Sequence, residues 1–467
     1  MGLLIKGGTV VNSEGQYRAD VWVDDDGVIQ QIGHDLEKVR LTGSKADRVV
    51  DASGQFVFPG GIDAHTHMEL PFMGTTSADN FENGTVAGCV GGTTGIIDFV
   101  IPSKGQSNLD ALGQWNEKAG GKAVSDYAFH MAIVEWTNKT AEEMEEVARR
   151  GITSFKTFTA YKGALMLDDR ELFNVMLKAR DLKSIVTVHA VNGDVLSTLA
   201  ERFAKEGKLS PAYHPKCQPP EAEGEATFRA IQLARIAGIP LYVVHVTCDD
   251  ALQQIHRANG EGTEIYAETC IQYLLLDDSL YEKPDFEGAK YVLSPPLRKK
   301  QDQVALWEGI QRGHVHTLAT DHCPFHFESQ KTMGKEDFRK IPNGLPGVEE
   351  RISLLYTYGV AEGKITWSQL VDVCSTRPAK IFNMYPKKGA VAVGADADLV
   401  VFDPAWESTF SAKTHKSKVD YSCYEGWKRK GRPSHVFVRG RLVAKDGEFC
   451  GERGFGRFVE RSRYARR

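Results

Sequence analysis

His65 and His67 stand two positions apart in Gly61-Ile-Asp-Ala-His-Thr-His-Met68, directly after the apolar run Phe56-Val-Phe-Pro-Gly-Gly-Ile62. That run predicts a strand ending in a turn, and residues i and i+2 of a strand face one side. Two imidazoles converging at a strand end can chelate a borderline metal ion such as zinc. A lone His-x-His is more often an ordinary pair of loop histidines. Here the event recurs. Ile185-Val-Thr-Val-His189, Leu241-Tyr-Val-Val-His245 and His316-Thr-Leu-Ala-Thr-Asp321 each close an apolar run with a potential ligand. Four histidines and an aspartate at strand ends point to a metal site.

Lys156, in Ser154-Phe-Lys-Thr-Phe158, is the odd member. An ammonium has no lone pair and repels a metal ion. Two readings stay open on spacing alone. One is a lysine paired with a nearby carboxylate. The other is an amine carbamylated by CO2, which becomes a carboxylate able to bridge two metals.

The elements that must position these groups alternate in type. Strand-like runs cover 62–65, 94–100, 127–134, 153–158, 185–189, 241–245, 264–269 and 316–321. Helical patterns at 141–150, 169–182 and 225–237 lie between some of them. Alternation of this kind predicts parallel strands with crossover helices, an α/β chain whose residues 58–386 form a (β/α)8 TIM-like barrel. The active face of such a barrel is at the C-terminal ends of its strands, where the ligands lie. Residues 1–57 and 387–450 carry period-two alternation and Asp-Gly turns, as at Asp26-Gly27 and Asp446-Gly447. Neither segment has strands enough for its own core, so one small β-sandwich built from both termini is expected. Residues 451–467 hold six arginines and read as a C-terminal basic arm.

Composition narrows the function classes. The chain has 467 residues, 42% of them hydrophobic, and a net charge of −5, which gives no electrostatic footprint for nucleic acid or an anionic membrane. Only Leu3, Leu4 and Ile5 are consecutive apolar residues at the start, too few for a signal peptide or a membrane span. Eight scattered cysteines without a Cys-x2-Cys pair suggest reduced thiols and a cytoplasmic protein. Cys323, near Asp321, reads as a packing residue rather than a nucleophile.

Nine segments in order resemble the dihydropyrimidinase/D-hydantoinase family of cyclic amidohydrolases, in the amidohydrolase superfamily. They are PGGIDAHTHMELPF (59–72), GGTTGIIDF (91–99), SFKTFTAYKG (154–163), VHAVNGD (188–194), YVVHVT (242–247), ETCIQYL (268–274), LSPPLR (293–298), ATDHCPF (319–325) and KIPNGLPGVEER (340–351). The resemblance implies two zinc ions per subunit. One would be held by His65, His67 and Asp321, the other by His189 and His245, with N6-carboxylated Lys156 bridging. It further implies that Tyr161 supports an oxyanion, and that Ser294 and Asn343 hold the substrate through main-chain contacts. Asp321 would serve as base and then acid. The implied reaction is ring opening by a metal-bridging hydroxide, of 5,6-dihydropyrimidines to N-carbamoyl-β-amino acids and of hydantoins to N-carbamoyl-α-amino acids. Met68, Leu70, Phe158 and Leu165 would form an apolar wall around the exocyclic substituent. The resemblance also suggests a homotetramer with the basic arm lying on a neighbouring subunit.

Two other readings compete. A non-catalytic scaffold, like the collapsin response mediator proteins, would lack metal ligands, whereas all six ligand positions are filled here. An allantoinase-like or dihydroorotase-like enzyme is the second. Dihydroorotase-like proteins carry Arg where this chain has Glu69, which is expected to repel an anionic substrate.

Overall fold

Eight parallel strands form one sheet in chain order: Gly61–Thr66, Thr93–Val100, Asp126–Ala132, Ser154–Phe158, Ile185–His189, Leu241–Val243, Ile265–Cys270 and Thr317–Ala319. A parallel bridge between Thr66 and His322 brings the last strand back to the first, so the sheet closes as a (β/α)8 barrel. The computed structural model describes residues 2–38 and 46–464. Helices connect the strands, and their starts are written in the sequence. Asp168 and Glu171 make a reciprocal capping box at Asp169–Asp181, Ser107 caps Asn108–Ala119, and Thr137 caps Asn138–Arg149.

The run 56–62 is not one strand. Phe56–Pro59 pairs antiparallel with Leu399–Thr409 in a separate nine-stranded sheet, and the barrel begins at Gly61. Gly60 is the joint; a β-carbon there would collide with the Thr94 side chain. Strands from both termini build that second sheet, which has its own core of Leu3, Ile5, Val21, Val57, Val401 and Phe437. No helix among the described residues is long and apolar enough to cross a membrane, and no disulfide joins the cysteines, seven of which are buried.

The basic segment expected to reach a neighbouring subunit lies on its own barrel as far as Tyr464; residues 465–467 fall outside the described part. It runs beneath the N-terminal strand ends, with hydrogen bonds from Tyr127 N to Arg457 O, Val459 N to Tyr127 O, and Arg461 N to Gly151 O. Arg461 is 3% exposed and donates to Phe129 O and to Ser154 Oγ. One main-chain carbonyl and one hydroxyl at the barrel floor accept from this arginine, while its Nε and second terminal nitrogen are buried without a hydrogen-bond partner among the described residues.

Candidate metal and substrate site

Strand ends bring the expected ligands together. His65 Nε2 and His67 Nε2 lie 3.1 and 3.0 Å from Asp321 Oδ1. On the other side of the site His189 Nδ1 is 2.9 Å from His245 Nε2. Ligands about 2.0–2.1 Å from one tetrahedral ion sit roughly 3.3 Å apart, so both clusters have the spacing of shared metal ligands. Ligand atoms of His65, His245 and Asp321 all fall within 4.8 Å of one another. His67 Nδ1 and His189 Nε2 are buried without a hydrogen-bond partner.

His245 and Asp321 are not on strands. Both sit just past shortened ones, in the left-handed region, with φ of 38° and 53°. Tyr161 shares that conformation at 65°. With Met73 at 49°, four non-glycine residues with positive φ line one cavity, which is backbone strain gathered at a site.

Electrostatics favours a bound cation. Burial would raise the Asp321 carboxyl, but His65 and His67 hold it well below the ordinary range. Burial would lower His65, yet Asp321 and Glu268 raise it to about 9. Burial pushes His67 down and, together with Lys156, lowers His189 to about 3. His245 falls well below its ordinary value through burial, His189 and Lys156. Three neutral imidazoles, His67, His189 and His245, with a carboxylate beside them are donors suited to a divalent ion of borderline softness, and His65, which Asp321 and Glu268 hold protonated without metal, would give up its proton on binding one.

Lys156 is 1% exposed, and burial lowers its amine to about 7. Its Nζ sits 4.9 and 5.2 Å from the Phe99 and Phe158 ring centroids and has no hydrogen-bonded or ion-paired partner among the described residues. The carboxylate-paired reading of this lysine therefore fails.

Glu268, on the seventh strand, was not singled out from the sequence. It is fully buried and accepts from His65 Nδ1 at 2.6 Å, His245 N at 2.9 Å and Tyr242 Oη at 2.7 Å. This fixes the His65 tautomer with Nε2 facing Asp321. It lies within Ile265–Cys270 rather than at the strand end, so the strand-end rule passes over it. A second carboxylate trio, Asp126, Asp396 and Asp398, also converges, but Lys388 Nζ fills it at 2.8, 3.0 and 2.5 Å. That cluster is an internal ion pair.

A cavity of about 650 Å3 opens over the ligands. Leu70, Phe158, Leu165, Tyr161, Ser294 and Asn343 all line it, as expected. Met68 does not. It is fully buried, facing the helix layer opposite to His67, and a β-carbon at Gly84 would strike its sulfur. Glu69 is absent from the lining too, so its carboxylate does not face the cavity as expected. Phe72, Met73 and Ile101 extend the apolar wall, and Lys104 and Arg339 add two cations, the latter paired with Asp337 at 2.7 Å. Burial raises the Tyr161 phenol, keeping it a donor. Among the described residues no hydrogen bond engages the main-chain N–H or C=O of Ser294 or Asn343.

Residues 56–443 match the model of the amidohydrolase family. A D-hydantoinase of Geobacillus stearothermophilus is 49% identical over 465 residues, covering 99% of this chain and 97% of that protein. A dihydropyrimidinase of Rattus norvegicus is 42% identical over 466 residues, covering 99% and 89%. The crystal structure of a dihydropyrimidinase from Brevibacillus agri NCHU1002 superposes with a TM-score of 0.97 at 48% identity, covering 100% of both chains.

Proposed function

Because the chain belongs to the amidohydrolase family, and within it to the dihydropyrimidinase/D-hydantoinase group of ring-opening hydrolases, we propose that it opens 5,6-dihydropyrimidines and hydantoins with two zinc ions per subunit. The products are N-carbamoyl-β-amino acids from the former and N-carbamoyl-α-amino acids from the latter. The observation that carries this reading is the convergence of ligand atoms at one end of a cavity that also presents unpaired main-chain groups.

His65, His67 and Asp321 would hold one ion and His189 and His245 the other, with Lys156 joining them as its carbamate. The metal pair, when bound, acidifies water near neutral pH and polarises the amide carbonyl. Asp321, the only carboxylate among the described residues lining the cavity, takes the proton of the attacking water and returns it to the departing ring nitrogen. Tyr161 donates its hydroxyl to the developing oxyanion. The main chains of Ser294 and Asn343 hold the ring amides, which are flat and offer alternating N–H and C=O groups. Leu70, Phe158 and Leu165 receive the exocyclic substituent and exclude water from it.

The test is a panel of dihydrouracil, hydantoin, 5-phenylhydantoin, allantoin and dihydroorotate, run on chelator-treated protein before and after zinc is restored. Zinc-dependent opening of dihydrouracil and the hydantoins is expected. Allantoin or dihydroorotate as the best substrate would overturn the substrate class. Absence of stoichiometric metal in active protein would overturn the metal reading.

A further inference from the structure

Lys331 is a buried cation that the chemistry above leaves unused. It is fully buried in the loop that follows strand eight, at the start of the short helical turn Lys331–Gly334. No carboxylate pairs with it among the described residues. Its three N–H bonds end on three main-chain carbonyls: Val292 O at 2.7 Å, Pro342 O at 2.8 Å and Gly344 O at 2.8 Å. An ammonium buried without a counter-charge is an expensive way to fill space, and an apolar side chain would serve packing better. What the three carbonyls have in common is position. Val292 lies two residues before Ser294, and Pro342 and Gly344 flank Asn343.

The two segments are tied to each other independently, by Gly344 N donating to Val292 O at 3.0 Å. On its far side the first segment is pinned through Leu293 O, 2.7 Å from His214 Nε2, and through Ser294 Oγ, which donates to Gln218 at 2.9 Å. One direct bond fixes an edge, whereas a tripod of bonds from one point fixes an angle. We propose that Lys331 is a positioning residue that sets the main chains of Ser294 and Asn343 at the separation a cyclic amide ring requires, and thereby sets affinity for the ring. The inference rests on the ring-opening reading above and extends it to a residue that touches neither substrate nor metal.

The prediction separates binding from chemistry. A ring held by main-chain groups is held alike in ground and transition states, so loosening the holder raises KM more than it lowers kcat. Lys331→Met should raise KM for dihydrouracil at least tenfold, with kcat within about threefold and zinc content unchanged. Lys331→Ala leaves a slot for a small amine, and propylammonium should lower its KM saturably while propanol does not. Lys331→Gln keeps two donors and covers the case in which the methionine variant does not fold; an intermediate KM supports the tripod. Wild-type KM in Lys331→Met or Lys331→Gln overturns the inference, as does equal rescue by propanol. Wild-type protein that opens no cyclic amide refutes the functional reading instead, so the two failures are distinguishable.

Discussion

Glu268 allows the sharpest test of how the site is held. Its two oxygens serve three donors, from His65 Nδ1, His245 N and Tyr242 Oη, and Tyr242 Oη also contacts Thr317 Oγ1 at 2.7 Å. Glu268→Gln can keep that network. The amide oxygen would take the bonds from His65 and His245, the amide N–H would donate to Tyr242, and Tyr242 would turn its hydroxyl to Thr317. The fold then survives while His65 loses a charged partner. Loss of such an outer partner typically weakens metal affinity about 10–100-fold, or roughly 1.4–2.7 kcal/mol. Glu268→Ala instead strands two buried donors, His65 Nδ1 and His245 N, at about 1–3 kcal/mol each, some 2–6 kcal/mol together. Total stability of a protein is only about 5–15 kcal/mol. The alanine variant should therefore unfold many degrees earlier or accumulate insoluble, whereas the glutamine variant melts near wild type and releases zinc to a competing chelator more readily. Competition titrations and thermal scans read both. Wild-type zinc affinity in Glu268→Gln, or an alanine variant within about 1 kcal/mol of wild type, would refute the reasoning.

Three further outcomes are expected. Only the neutral amine of Lys156 reacts with CO2, and burial lowers its proton affinity to about 7, so a 13C-carbamate signal from labelled bicarbonate should grow as pH rises through 7; no signal at any pH, or full activity with two metals in Lys156→Ala, would remove the bridge. Tyr161→Phe should lose about 10²–10³ in kcat with zinc content unchanged, the usual effect of deleting one oxyanion donor; an unaltered kcat removes it from that role. Enlarging or shrinking Leu70 or Phe158 should change the ratio of 5-phenylhydantoin to hydantoin rates roughly tenfold, since a methylene or two in an apolar pocket is worth about 1–3 kcal/mol; an unchanged ratio would place the substituent elsewhere.

The barrel and its candidate ligands were legible because they follow two short-range rules. Strand periodicity fixes which side His65 and His67 face, and an apolar run ending in His or Asp marks a strand's active end. What escaped was set by partners far away in sequence. Met68 looks like a pocket residue by proximity, but the alternation that turns His67 inward turns Met68 into the helix layer. Glu268 reads as an ordinary strand carboxylate until His65, 203 positions away, is seen to bond it. Arg461 reads as solvated because nothing nearby announces Phe129 O and Ser154 Oγ, more than 300 positions away in sequence. The turns that carry His245 and Asp321 escaped for another reason: neither residue is a glycine or asparagine that would advertise positive φ.

The sheet shared by the two termini has a consequence for how the chain is made. Phe56–Pro59 finds one of its two neighbours only when Leu399–Thr409 arrives. At ribosomal speeds of about 5–20 residues per second, that delay is on the order of 20–70 s. Throughout it, the N-terminal strands present a row of unpaired N–H and C=O groups beside an apolar face, the template on which chains pair with the wrong partner. The ligand-bearing barrel lies wholly between the two halves, so it can condense while its flanking sheet is still open. That waiting edge is thus the part of the terminal sheet most open to mispairing while the chain is being made.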